Sequence, residues 1–83
     1  MEEKMRHFQV EMDDAAVKEL EEIMRVCGLR TKKELFNNAF TLWKWAVRKK
    51  KEGSEIVAVN KKGYYQELEM PALEAAASRE APS

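Results

Sequence analysis

Arg30, Thr31, Lys32 and Lys33 are the residues of this chain whose types and spacing lend themselves to chemistry. Three cations surround a hydroxyl, and Glu34 stands three residues after Thr31, the spacing of a capping box. In that motif the hydroxyl accepts from a free backbone N–H at a helix start, and the carboxylate reaches back to another. A helix N-terminus also carries the positive end of the helix dipole, so it attracts anions. Arg30, Lys32 and Lys33 strengthen that attraction, although the same residues would also serve as a plain cap with solvated lysines. Upstream, Gly28 can end a preceding helix at φ > 0 and Leu29 can pack back beneath it. The chemistry on offer here is recognition of an anion.

Bond-making residues are scarce elsewhere. His7 is the single histidine and Cys27 the single cysteine, too few for a zinc site of ordinary composition or for an intrachain disulfide. No glycine-rich phosphate loop and no nucleophile–base pairing is present, so no enzyme activity, metal or cofactor is expected. Cys27 falls on an apolar helix position and is expected to be a small buried thiol. No apolar run is long enough for a membrane span and no signal peptide is evident, which makes the cytoplasm the default location.

The elements that must position the cation cluster follow from periodicity. A chain of 83 residues allows one small domain. Residues 1–5 are charged and expected to be flexible. Arg6 to Met12 alternates, with Phe8, Val10 and Met12 on one face and His7, Gln9 and Glu11 on the other, the pattern of a half-buried strand. It has no partner strand nearby, and unpaired backbone groups need a mate; the same strand of a second copy is the nearest candidate. Asp13 or Asp14 then caps a helix running to Cys27. Its Ala16, Val17, Leu20, Ile23, Met24 and Cys27 share a stripe about 120° wide, with Glu19, Glu21, Glu22 and Arg25 outside it.

A second helix is predicted from about Lys32 to Lys51, stopped by Gly53. Leu35, Phe36, Ala39, Phe40, Leu42, Trp43, Ala46 and Val47 form a stripe of roughly 160°, wider than one short helix and one strand can cover. Trp45 lies outside even that stripe. So broad an apolar surface on a small chain points to burial between subunits. Arg48 to Lys51 read as a solvated end that suits the dipole. Glu55–Asn60 and Tyr64–Met70 are strand-like and joined by Lys61-Lys62-Gly63, giving a β-hairpin at 54–70. That hairpin could cover Trp45 or the far end of helix two. Residues 71–83 are expected to make a short helical turn and then a disordered tail.

Charge is unevenly spread although 15 basic and 15 acidic residues cancel. Residues 13–28 carry 2 basic and 5 acidic residues, whereas 29–53 carry 8 and 2. The second of these segments has the excess that a polyanion partner would use.

Taken together, Arg6-His7-Phe8-Gln9-Val10-Glu11-Met12 before Asp13-Asp14, and Gly28-Leu29-Arg30-Thr31-Lys32-Lys33-Glu34-Leu35, resemble the ribbon-helix-helix family of bacterial repressors, of the Arc, MetJ and CopG type. The resemblance covers residues 6–50, and residues 6–52 would form its dimerisation and DNA-binding domain. It implies a mainly α fold with short β structure: an intertwined homodimer whose two strands pair antiparallel into a ribbon. It further implies that the ribbon enters the major groove of double-stranded DNA, with His7, Gln9 and Glu11 reading bases. Arg30, Thr31, Lys32 and Lys33 would then hold phosphates. Phe8, Val10, Met12, Leu35, Phe36, Phe40 and Trp43 would form the dimer core. Glu11 departs from the family, whose ribbons more often carry a basic or neutral residue there.

The expected function on this resemblance is a sequence-specific transcriptional repressor, acting as a homodimer or as a higher assembly on DNA. The alternative is an interaction module or antitoxin whose segment 54–83 binds a partner protein, with weak or no DNA binding. The open edge of a hairpin can accept a partner strand.

Overall fold

The computed structural model describes residues 4–80, and the chain is mainly helical with one short antiparallel sheet. The order is α1 (Asp14–Cys27), α2 (Lys32–Lys51), β1 (Val57–Val59), β2 (Tyr65–Glu67) and α3 (Pro71–Glu80). Two compact units divide it, Met1–Leu35 and Phe36–Ser83, with α2 beginning in the first and continuing into the second.

In the first unit, α1 starts where an aspartate can cap it. Asp13 is extended at φ −73°, and its carboxylate accepts from the Ala16 N–H at 2.8 Å. The helix ends at Gly28, whose φ of 70° lies in the left-handed region. The Gly28 N–H donates to the Arg25 carbonyl at 3.2 Å and the Leu29 N–H to the Met24 carbonyl at 2.9 Å, the paired bonds of a Schellman motif. Ala16, Val17, Leu20 and Met24 are half-buried, as is Leu29, so one side of the predicted stripe is covered. The other side is not: Ile23 is 52% exposed, and Val26, just outside the predicted stripe, is 68% exposed. Cys27, the last residue of α1, is exposed, contrary to the buried thiol expected from its apolar neighbours.

Residues 4–13 carry neither helix nor strand. The strand expected at 6–12 pairs with nothing in its own chain, since the only sheet among the described residues joins β1 to β2. A strand ladder needs two strands, and β1 and β2 pair with each other, leaving 6–12 without a mate among the described residues. The flexible segment expected at 1–5 lies in part outside the described residues, as do residues 81–83 of the expected tail.

In the second unit, α2 closes with the same pair of bonds: Gly53 N–H to the Lys50 carbonyl at 3.0 Å and Ser54 N–H to the Lys49 carbonyl at 2.9 Å. The hairpin has the register Val57↔Glu67, Ala58↔Gln66 and Val59↔Tyr65. Asn60 organises its turn. Its carbonyl accepts from the Gly63 N–H at 3.0 Å, and its side-chain oxygen accepts from the N–H groups of Lys62 at 2.9 Å and Tyr64 at 3.1 Å. Gly63 follows at φ 87°, the left-handed position this connection demands.

Pro71–Glu80 is a ten-residue helix where a single turn and a disordered tail were expected. Pro71 at its first position loses no hydrogen bond there, and the Met70 carbonyl accepts from both Leu73 and Glu74 at 3.0 Å. Four alanines favour the helix that follows. Tertiary burial supplies the rest: Leu73 is 1% exposed and Ala46, on α2, 4%.

Candidate nucleic-acid interface

The N-terminus of α2 is built as its residues dictate. The Thr31 hydroxyl accepts from the Glu34 N–H at 3.1 Å and lies 3.4 Å from the Glu34 carboxylate, to which it donates. The Thr31 carbonyl accepts from the Leu35 N–H at 3.2 Å, starting the intrahelical ladder. Lys32 and Lys33, in the first turn, have N–H groups that no residue of the helix can reach. Arg30, Lys32 and Lys33 are exposed, and none has an ion-pair partner among the described residues. Thr31 therefore caps the helix while three cations and the start of the dipole face solvent. An oxyanion placed there meets fixed donors and mobile positive charge together.

His7, Gln9 and Glu11 are exposed on the irregular segment before α1. The apolar residues between them are equally uncovered: Phe8 is 87% and Val10 80% exposed, and Met12 43%. The single chain thus brings Arg30, Thr31, Lys32 and Lys33 together, while His7, Gln9 and Glu11 lie on a segment with no regular secondary structure. Of the other residues expected in a dimer core, Leu35 and Trp43 are half-buried, whereas Phe36 is 60% and Phe40 49% exposed. The Phe36 and Phe40 rings meet one turn apart in a tilted arrangement, with centroids 5.8 Å from each other. Trp45 is exposed, so the hairpin does not bury it.

A cluster that the run of cations Arg48 to Lys51 had hidden lies at the far end of α2. Lys50, expected on a solvated end, is 4% exposed. Its Nζ pairs with Glu74 at 3.0 Å and with Glu55 at 3.4 Å. The Glu74 carboxylate raises the Lys50 pKa against the opposing effect of desolvation. Glu55 is lowered, first by a hydrogen bond from Glu67 and then by Lys50. Glu67 is raised by the same contact, because two carboxyls sharing a hydrogen bond favour a proton on one of them. The signal for this cluster was present in the sequence: by helical-wheel arithmetic Lys50 sits near the middle of the apolar stripe, within about 20° of Trp43. A lysine there must find carboxylates or escape, and Glu55 and Glu74 supply them.

Among the described residues no group of histidine, cysteine and carboxylate side chains could hold a metal ion, and no helix is long and apolar enough to cross a membrane. No family model matches the chain, and neither a curated protein nor a solved structure does.

Proposed function

We propose that this protein is a homodimeric, sequence-specific DNA-binding transcriptional repressor of the ribbon-helix-helix type, acting in the cytoplasm. The observation that carries the proposal is the segment Arg6–Met12. It alternates polar and apolar residues, leaves Phe8 and Val10 almost fully exposed, and runs straight into an Asp13-capped helix. Pairing it with the same segment of a second copy satisfies its backbone and buries those side chains in one step. His7, Gln9 and Glu11 then form one polar face. The Thr31-capped start of α2, present twice by symmetry, supports the reading by offering phosphate contacts.

Selection of binding sites from random duplex DNA, followed by titration at fixed salt, tests this. The chain should enrich a two-fold symmetric sequence. Gln9→Ala should relax preference at one position in each half-site by about 1–3 kcal/mol, the worth of a bidentate contact. Lys33→Ala should instead weaken binding to all sequences alike. Recovery of no motif, with equal weak affinity for every duplex, would reject the proposal. Glu11→Ala in the same selection shows whether the carboxylate accepts from a cytosine amine: if so, a cytosine preference disappears; if it only repels phosphate, affinity rises throughout.

One observation favours a second reading, a protein-interaction module or antitoxin. All six strand residues of the hairpin are exposed, including Val57, Val59 and Tyr65, and so is Tyr64 beside them. If the hairpin is the working surface, Val59→Ser with Tyr65→Ser should abolish capture of a specific partner protein while DNA selection returns nothing.

A further inference from the structure

The charged side chains along the helices sort into those with partners and those without. Glu22 holds Arg25, with a 2.9 Å bond from Nε; Lys49 holds Glu52; Lys50 holds Glu55 and Glu74. Glu19 on α1, and Lys44 and Arg48 on α2, have no ion-pair partner among the described residues. These unpaired charges of opposite sign stand on edges that also expose apolar side chains.

On α1, Glu19, Ile23 and Val26 recur at i, i+4 and i+7 and fall within about 60° of one another on the helix. Ile23 and Val26 are more than half exposed. On α2, Phe40, Lys44 and Arg48 recur at i, i+4 and i+8, starting at one border of the apolar stripe and turning about 80° away from it. Phe40 is 49% exposed, and the Lys44 ammonium lies 4.9 Å from the centre of its ring. That cation–π contact holds Lys44 at the apolar border and restricts its rotamers, which lowers the entropy lost when a carboxylate engages it.

Resting on the homodimer reading, we infer that the α1 edge Glu19–Ile23–Val26 of one copy docks on the α2 edge Phe40–Lys44–Arg48 of the other, with Glu19 meeting Lys44 and Arg48. Each edge supplies what the other lacks: a carboxylate against two cations, and two aliphatic side chains against an aromatic ring. The occupant is a second copy because the charge asymmetry lies within this chain. Residues 13–28 carry 5 acidic against 2 basic residues, and residues 29–53 carry 8 basic against 2 acidic. Contacts between two α2 helices alone would set cations against cations, whereas α1 of the other copy neutralises them. The contact occurs twice by symmetry, so association is steered by charge and weakens with salt.

The test is a charge swap in the full-length protein. Glu19→Lys and Lys44→Glu are made singly and together, and the dimer dissociation constant is measured by sedimentation equilibrium at low and high salt. Each single variant should weaken the dimer about tenfold at low salt, from two lost pairs plus repulsion. The double variant restores an opposite pair at positions 19 and 44 but leaves Arg48 facing a cation, so it should bind at least about threefold tighter than Glu19→Lys alone while staying weaker than wild type. High salt should shrink all these differences. A double variant as weak as the sum of the singles, or singles that dimerise like wild type, overturns this docking while leaving the dimer intact. Singles that dimerise normally but lose DNA affinity with Lys44→Glu assign the edge to the duplex and also overturn it. A wild-type chain that stays monomeric at every concentration removes the homodimer reading itself.

Discussion

Phe8→Ala should separate the dimer. Phe8 is 87% exposed in the single chain, and the proposed ribbon buries it. Full burial of such a side chain is worth about 1.5–3 kcal/mol, so each copy contributes nearly that much. Symmetry doubles the effect to about 3–5 kcal/mol per dimer, a weakening of roughly a hundred- to several-thousand-fold in the dissociation constant. Tyr64 is a matched control. It is 71% exposed and lies outside the residues assigned to the dimer. Tyr64→Ala should therefore leave the dissociation constant within about threefold of wild type, as ordinary surface changes do. Sedimentation equilibrium over a concentration series gives both constants, and the thermal midpoint should rise with protein concentration for wild type. If Phe8→Ala proves as silent as Tyr64→Ala, Phe8 does not lie in an interface and the ribbon is wrong.

Other outcomes follow from the individual contacts. Leu73→Ala should cost about 2–4 kcal/mol in thermal unfolding, because the side chain is 1% exposed; a loss near zero would mean that α3 contributes no core. Asp13→Ala should cost about 1 kcal/mol by releasing the Ala16 N–H, with Asp13→Asn recovering most of it. The carboxyl pair makes acid stability a balance. The lowered Glu55 contributes stability above the ordinary carboxylate range that is lost as pH falls through its folded pKa, whereas the raised Glu67 weakens the fold as pH climbs through its own. Glu67→Gln keeps a donor for Glu55 without the charge, so it should raise the thermal midpoint at neutral pH, and the gain should fade in acid where Glu67 is protonated. The raised Lys50 contributes stability below the ordinary lysine value that is lost as pH rises through its folded pKa; Lys50→Met should flatten that alkaline decline in a melting series.

How far the fold could be read from residues alone depended on whether the signal was local. Asp13, Gly28, Thr31 with Glu34, and Gly53 act through bonds to neighbours three to five residues away, and both long helices begin and end where those residues place them. The hairpin turn was legible for the same reason, since Gly63 meets a local demand for positive φ. Residues governed by distant contacts were harder. Pro71–Glu80 looked like a tail because its composition is bland; buried Leu73 and the Glu74–Lys50 pair mark it as docked. Lys50 looked solvated because its neighbours are cations, although its wheel position was apolar. Cys27 shares a stripe with half-buried residues yet is exposed, since periodicity identifies a face without saying which part of it is covered. The candidate site divides similarly. Thr31 is held by local bonds to Glu34, whereas the alignment of His7, Gln9 and Glu11 is proposed to need a second chain.

The most direct measurement of the central claim is the affinity of the purified protein for its selected duplex as a function of salt. Three cations at the start of α2, present twice in the dimer, predict that the logarithm of the association constant falls with the logarithm of salt at a slope of about −5. Lys33→Ala removes two of the six and should bring the slope to between about −3 and −4. A flat response with millimolar affinity, unchanged by Lys33→Ala, would contradict the account.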